Sequence, residues 1–171
     1  MSQFCFIDDS VAGVGGTALT LDAIVEPERG NVDFVPTSDL QLSDLFKDYE
    51  LFILGNTLGF DKNSFDCLIH LTETLRFVKI EFDYGYCMYR GKVPHKILAK
   101  EECSCPFGAT GTSSLCQLYD NIKTNALHIF YMSEGQMKMH DDSLMGVNKK
   151  KKSVLEGDST VYRPLSSMLC A

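Results

Sequence analysis

The sequence predicts one α/β domain of Rossmann-like type, with a parallel sheet of five or six strands and helices on both faces. Short apolar runs bounded by turn residues alternate with segments of helical apolar spacing, which favours this arrangement. The run from Leu51 to Leu54 is uninterrupted, as in strands buried on both faces of a parallel sheet. A length of 171 residues, 44% of them hydrophobic and 23% charged, suits one globular domain.

The first half of the chain contains three of the predicted strands. Its elements are a strand at 4–7, a glycine-rich loop at 11–16, a helix at 17–25, a strand at 32–35, a short helical turn begun by Ser43 or Asp44, and a strand at 51–54. Pro27 and Gly30 end the first helix, and Pro36 closes the second strand. The strand–helix–strand repeat favours parallel pairing.

The second half repeats this alternation around one irregular segment. Its elements are a helix begun by Asp61, Asn63 or Ser64, a strand at 77–82, a polar segment at 84–112, a helix begun by Ser113 or Ser114, a strand at 127–132, a short helix from Ser133, and a weak sixth strand at 154–155. Prolines and glycines within 84–112 indicate a loop. We therefore assign 1–146 to the domain, with a cysteine-rich loop at 84–112, and 147–171 to a basic linker and tail.

Composition and charge exclude several classes of protein. The net charge of −7 opposes attraction to nucleic acid phosphates, and the lysine run at 149–152 is typical of a solvated loop. Apolar runs fall short of the roughly 20 residues of a spanning helix, and the chain start lacks the basic region of a signal peptide. Seven cysteines are an odd number, unlike an evenly paired secreted scaffold. The predicted location is a reducing cytoplasm.

Polar or small residues follow the predicted strands where each one ends. They are Asp8, Asp9 and Ser10 after the first strand, Gly55 and Asn56 after the third, Glu81, Asp83 and Tyr84 after the fourth, and Ser133 and Glu134 after the fifth. Ligands of open parallel sheets bind beyond the carboxyl ends of the strands, where loops and helix starts converge. We therefore predict a binding site at this edge of the sheet.

The glycine-rich loop has more than one interpretation. Gly13, Gly15 and Ala18 fit the permissive form of the dinucleotide fingerprint between a strand and a helix. Two features oppose dinucleotide binding. Gly13 comes several residues after the strand, and Asp39 lies further along the chain than the acidic residue that binds a ribose hydroxyl in that fold. Two alternatives stay open for the loop that includes Gly16: contact with a sugar, or only a turn of the chain.

Three cysteines and one histidine gather in the irregular segment. Cys87, His95, Cys103 and Cys105 form a complete tetrahedral set for a structural zinc ion. Cys-x-Cys is less typical than Cys-x-x-Cys, so a disulfide or no bond at all remains an alternative. The residues Cys5, Cys67 and Cys116 lie near apolar elements and are predicted to be core residues.

Several segments together resemble a group of GT-B-type glycosyltransferases. They are 79–87 (KIEFDYGYC), 103–105 (CSC), 129–136 (IFYMSEGQ), 51–56 (LFILGN) and 15–17 (GGT). In that group the N-terminal Rossmann-like half carries the acceptor side of the cleft, and a second half holds the nucleotide-sugar donor. The resemblance covers roughly the first 140 residues, and its motifs are more specific together than singly.

The resemblance implies an acceptor-side domain that needs a separate donor-binding half, because the tail after Lys152 could not supply one. Its ligand would be a glycan acceptor or a nucleotide-sugar, contacted by residues at the strand ends and in the glycine loop: Gly13, Gly15, Gly16, Asn56, Tyr84, Ser133 and Glu134. Asp83 and Glu81 are the carboxylates best placed to accept a proton from a sugar hydroxyl.

Two other functions stay open on the sequence. One is a nucleotide- or dinucleotide-binding oxidoreductase module, which Gly13 and Gly15 favour. The other is a non-catalytic interaction domain, in which the cysteine-rich loop and exposed Met137 and Met139 contact a protein partner.

Overall fold

Six parallel strands form one sheet in the part of the chain that the structure describes. This computed structural model describes residues 2–9, 23, 25, 30–83, 87, 89, 91–103, 114–143 and 152–154. The strands are β1 (Phe4–Asp8), β2 (Val32–Pro36), β3 (Leu51–Leu54), β4 (Phe77–Glu81), β5 (Ile129–Tyr131) and β6 (Lys152–Val154). Their order is β2-β1-β3-β4-β5-β6, which confirms the predicted α/β parallel sheet.

Five described α-helices and one 3-10 turn connect these strands. The turn is Thr37–Asp39, and the helices are α1 (Leu42–Leu45), α2 (Lys62–Thr74), α3 (Lys92–Ala99), α4 (Ser114–Asn125) and α5 (Glu134–Ser143). Asp61 begins α2 as its N-cap, because its carboxylate accepts a hydrogen bond from the backbone N–H of Ser64 at 2.8 Å. Of the predicted helix at 17–25, residues 23 and 25 are helical and the others lie outside the described residues.

Helix α3 corrects the prediction that 84–112 is an irregular loop. Pro94 favoured a loop in the sequence, but it lies in the first turn of the helix. Backbone N–H groups in a first turn have no intrahelical acceptor, so a proline there removes no hydrogen bond. The sixth strand also begins two residues earlier than predicted, within the lysine run at Lys152.

The strand order places a topological switch point between β1 and β3. The chain moves outward from β1 to β2 and then returns across β1 to β3. This is the flavodoxin-like order, whereas the dinucleotide-binding fold has the order 3-2-1-4-5-6. Ligands of both arrangements bind at the switch point, outside the carboxyl ends of the strands.

Apolar side chains pack against both faces of the sheet, as the uninterrupted run in β3 predicted. Alternate strand residues contribute to two separate clusters because successive side chains point to opposite faces. Leu54 lies in the cluster with α2 and α4, whereas Ile53 packs with Phe6 and Phe4 on the other face. No helix in the described ranges has the length and apolar character needed to cross a bilayer.

Two of the predicted core cysteines are buried as expected. Cys5 and Cys67 belong to the cluster beside α2, and burial raises the pKa of the Cys5 thiol to about 12. A buried thiol of this kind behaves as a small apolar side chain rather than a nucleophile. The side chain of Cys116 lies outside the described residues.

Candidate functional site

Side chains from β1 and β4 contact opposite ends of one peptide group at the switch point, the group that joins Gly55 to Asn56. The N–H of the Gly55–Asn56 peptide donates to Oδ2 of Asp8 at 2.6 Å, and Nζ of Lys79 donates to its carbonyl oxygen at 2.6 Å. Asp8 and Lys79 are both buried. The peptide dipole therefore lies between a buried carboxylate and a buried ammonium group, which fixes the orientation of Asn56.

Gly55 makes this arrangement possible. A Cβ atom at position 55 would collide with Oδ2 of Asp8 and lie 2.9 Å from its Cγ. The Asp8 carboxylate thus occupies the space that any other side chain at this position would fill. The glycine predicted at the end of the third strand is required by this close approach.

Asn56 connects the end of β3 to the carboxylate that follows β4. Its Nδ2 donates to Oδ2 of Asp83 at 3.2 Å, and its side chain is almost fully buried. Asp83 is only half-buried, so its carboxylate can be reached from solvent while Asn56 orients it. On the other side, Oδ2 of Asp9 accepts a hydrogen bond from the Leu58 N–H at 3.2 Å.

Gln136, for which the sequence predicts no role at the site, completes this edge of the sheet. Its Nε2 donates to the backbone carbonyl of Asp83 at 2.7 Å, and its Oε1 accepts from the N–H of Met132 at 2.8 Å. Ser133 accepts a hydrogen bond from the Gln136 N–H at 3.1 Å and so caps the start of α5. We call the set Asp9, Asn56, Asp83, Ser133 and Gln136 the rim.

Glu81 lies beneath the rim in a closed polar network. It is fully buried, and its Oε2 accepts a hydrogen bond from the Tyr119 hydroxyl at 2.7 Å and lies 3.5 Å from Nζ of Lys79. The Tyr119 oxygen also lies 2.9 Å from Nδ1 of His140. Because the phenol hydrogen goes to Glu81, His140 is the donor in that second contact. Of the two predicted carboxylates, only Asp83 is therefore accessible at the rim.

The remaining residues that were predicted to contact a ligand or a partner have different locations. Glu134 is exposed beside Ser133 at the start of α5. Gly13, Gly15, Gly16 and Tyr84 lie outside the described residues. Met137 was expected at the surface but packs partly buried against the core, whereas Met139 is exposed as expected. Helix α3 exposes three other apolar side chains, those of Val93, Ile97 and Leu98.

Three of the four predicted metal ligands come together beside α3. One ligand atom from each of Cys87, His95 and Cys103 lies within 4.8 Å of the other two, so the group could hold a metal ion. Sγ of Cys87 lies 3.4 Å from Nδ1 of His95 and 3.8 Å from Sγ of Cys103. Cys105 lies outside the described residues. We call these three described residues the thiol–imidazole cluster.

Local packing orients the imidazole of this cluster. The Tyr89 ring meets the His95 ring edge-on with centroids 4.7 Å apart, and Glu101 lies 3.5 Å from its Nε2. The hydrogen bond with Cys87, together with that carboxylate, raises the pKa of His95. Cys87 also packs against Tyr119, which connects the cluster to the network of Glu81.

Comparison with known proteins identifies no relative of this chain. No protein-family model, curated protein or solved structure matches the sequence.

Proposed function

We propose that this chain is the acceptor-side half of a GT-B-type glycosyltransferase and binds a glycan acceptor or nucleotide-sugar at the rim. The observation that carries the proposal is the half-buried carboxylate of Asp83, which Asn56 orients at the switch point of the sheet. The segment resemblance described above supports the assignment of the family. The nucleotide-sugar donor of a complete transfer is assigned to a second Rossmann-like half, as in that family.

The chemistry of the rim suits hydroxyl groups of a sugar. An ionised carboxylate accepts hydrogen bonds and can take the proton of a hydroxyl that attacks the donor sugar. Asp83 has this role in the proposal, and Asp9 supplies a second acceptor on the far side of Asn56. Glu81 takes no direct part because Tyr119 and Lys79 surround its carboxylate. Tyr84, Glu134 and the glycine loop stay candidate contacts.

Amide chemical shifts measured by NMR test this binding. Titration with simple glycans and with UDP-, GDP- and CMP-sugars is expected to shift the amides of Asn56, Leu58 and Asp83. The substitution Asp83→Asn removes the charged acceptor and is expected to weaken the affinity for the ligand about tenfold or more. Asp66→Asn is the matched control, because Asp66 is exposed on α2 and pairs only locally with Lys62. Shifts confined to other regions, or unchanged affinity in Asp83→Asn, would exclude the rim as the acceptor site.

We also propose that the thiol–imidazole cluster holds a structural zinc ion, with Cys105 as the fourth ligand. A tetrahedral ion with Zn–S of about 2.3 Å and Zn–N of about 2.0 Å separates two sulfurs by about 3.8 Å and sulfur from nitrogen by about 3.5 Å. The 3.8 Å between the two sulfurs and the 3.4 Å between Sγ of Cys87 and Nδ1 of His95 agree with these two values. Such thiolate ligation suits a reducing compartment such as the cytoplasm.

Metal analysis of protein prepared without chelator tests the zinc centre. One equivalent of zinc is expected, and Cys103→Ser is expected to lose it. Cys67→Ala is the control, because Cys67 lies in the core away from the thiol–imidazole cluster. Less than a few tenths of an equivalent of zinc in the unaltered chain would exclude the zinc centre.

A further inference from the structure

The two sulfur atoms of the thiol–imidazole cluster lie close enough to react with each other. Sγ of Cys87 and Sγ of Cys103 are 3.8 Å apart and are not joined in a disulfide. A disulfide bond is about 2.05 Å long, so the atoms need to approach by about 1.8 Å. Sixteen positions separate the two cysteines in the sequence, and a chain of that length closes such a loop readily.

The two thiols differ in access from solvent. Cys87 is fully buried, whereas Cys103 is half-buried. A small oxidant in solution therefore meets Cys103 first, and Cys87 lies behind it as the thiol that resolves the oxidised sulfur. The core residues Cys5 and Cys67 have no comparable partner among the described thiols, because each lies within apolar packing.

We propose that Cys87 and Cys103 form a peroxide-reactive dithiol that closes to a disulfide when the cluster holds no metal. The thiolate of Cys103 attacks one oxygen of hydrogen peroxide, the O–O bond breaks, and the sulfur becomes a sulfenic acid while hydroxide leaves and takes a proton from solvent to become water. The thiolate of Cys87 then attacks that sulfur, the S–S bond forms, and the S–O bond breaks to release hydroxide, which takes a second proton from solvent to become water. Peroxide is reduced by two electrons, and each sulfur gives up one.

Zinc and the disulfide exclude each other at this site. A sulfur in a disulfide is no longer a thiolate, and zinc needs the thiolate form of both cysteines. Metal loss therefore exposes the pair to oxidation, and oxidation prevents metal return until a reductant restores the thiols. This competition rests on the zinc centre proposed above, whereas the dithiol rests on the two sulfur positions alone.

Mass spectrometry of the full chain tests the dithiol. After chelation and exposure to hydrogen peroxide, a disulfide-linked peptide pair containing Cys87 and Cys103 is expected, reversible with dithiothreitol. Adding zinc before peroxide is expected to slow formation of this pair by about tenfold or more. Cys103→Ser is expected to abolish the linked pair, and Cys67→Ala to leave it unchanged. Circular dichroism of each variant verifies that it is folded.

The possible outcomes separate the two proposals. Linkage of Cys103 to another cysteine, or terminal oxidation without any linked pair, overturns the dithiol. A disulfide that forms equally fast with zinc present overturns the competition. A disulfide in a chain that binds no zinc overturns the zinc centre and supports the dithiol, whereas a chain that binds zinc but forms no disulfide after chelation and peroxide does the reverse.

Discussion

Asp8 and Lys79 hold opposite ends of one peptide group, the bond between Gly55 and Asn56, although 71 positions separate them in the sequence. Neither contact is a sheet hydrogen bond. Together they connect β1, β3 and β4 at the switch point, directly beneath the Asn56 amide that contacts Asp83. The stability of the fold and the geometry of the rim therefore depend on the same buried charges.

Gly55→Ala is expected to destabilise the protein by about 1–3 kcal/mol, because the new methyl group overlaps the Asp8 carboxylate. Chemical denaturation followed by circular dichroism measures the change in the free energy of unfolding. Gly30→Ala is the matched control, since a Cβ there meets nothing within 4 Å. Equal effects of the two substitutions would mean that the Asp8 contact does not require glycine.

Lys79→Met is expected to cost about 3–5 kcal/mol, because it leaves the buried Glu81 carboxylate without its cation. Lys62→Met removes a cation from the exposed pair with Asp66 and is expected to change stability little. Urea denaturation measures the free energy of unfolding of both variants. A loss in Lys79→Met as small as that in Lys62→Met would show that the buried contact with Glu81 contributes little to stability.

Tyr119→Phe keeps the aromatic ring and removes the hydroxyl that joins Glu81 to His140. We expect a loss of about 1–3 kcal/mol in the free energy of unfolding, because Glu81 and His140 then lose their hydrogen bonds with the Tyr119 hydroxyl. A double-mutant cycle with Glu81→Gln measures how much of this loss belongs to the pair. Additive effects of the two substitutions would show that the contact contributes nothing.

The contribution of His128 to the free energy of unfolding is expected to rise with pH. Burial lowers the pKa of His128 from its ordinary value of 6.5, so the unfolded chain binds the proton more tightly than the folded one. The folded state is therefore destabilised progressively as the pH falls below about 6.5. Thermal unfolding across this pH range measures the slope of stability against pH.

His128→Gln is expected to flatten that slope, and His70→Gln on α2 serves as the comparison. His128 also lies 2.9 Å from the Ser153 hydroxyl, so the first variant probes the contact between β5 and β6 as well. An unchanged slope in His128→Gln would assign the pH dependence to other groups.

Much of the sheet follows from local patterns in the sequence. The uninterrupted run in β3 and the polar residues at the strand ends identified both the buried strands and the edge where Asn56 and Asp83 meet. Strand order does not follow from such patterns, because it depends on which strands pair across the fold. Gln136 was missed for the same reason, since its contact with Asp83 spans 53 positions.

The burial of Glu81 had a signal in the sequence that could have revealed it. Lys79 and Glu81 are two positions apart in an apolar strand, so both side chains point to the same face. Opposite charges placed together on a buried face neutralise each other, which makes a structural pair more expected than an exposed catalytic carboxylate. Tyr119, the third partner, comes from a helix that local pattern does not place there.

Helix α3 has its own relation to the rest of the fold. None of the described helices and strands packs extensively against it, and His95 is its buried attachment to Cys87 and Cys103. Among the described residues few contacts hold this helix in place, so we expect it to open locally while the sheet remains intact. Proteases are therefore expected to cut first within this helix, and more slowly if the proposed zinc ion or disulfide is present in the thiol–imidazole cluster.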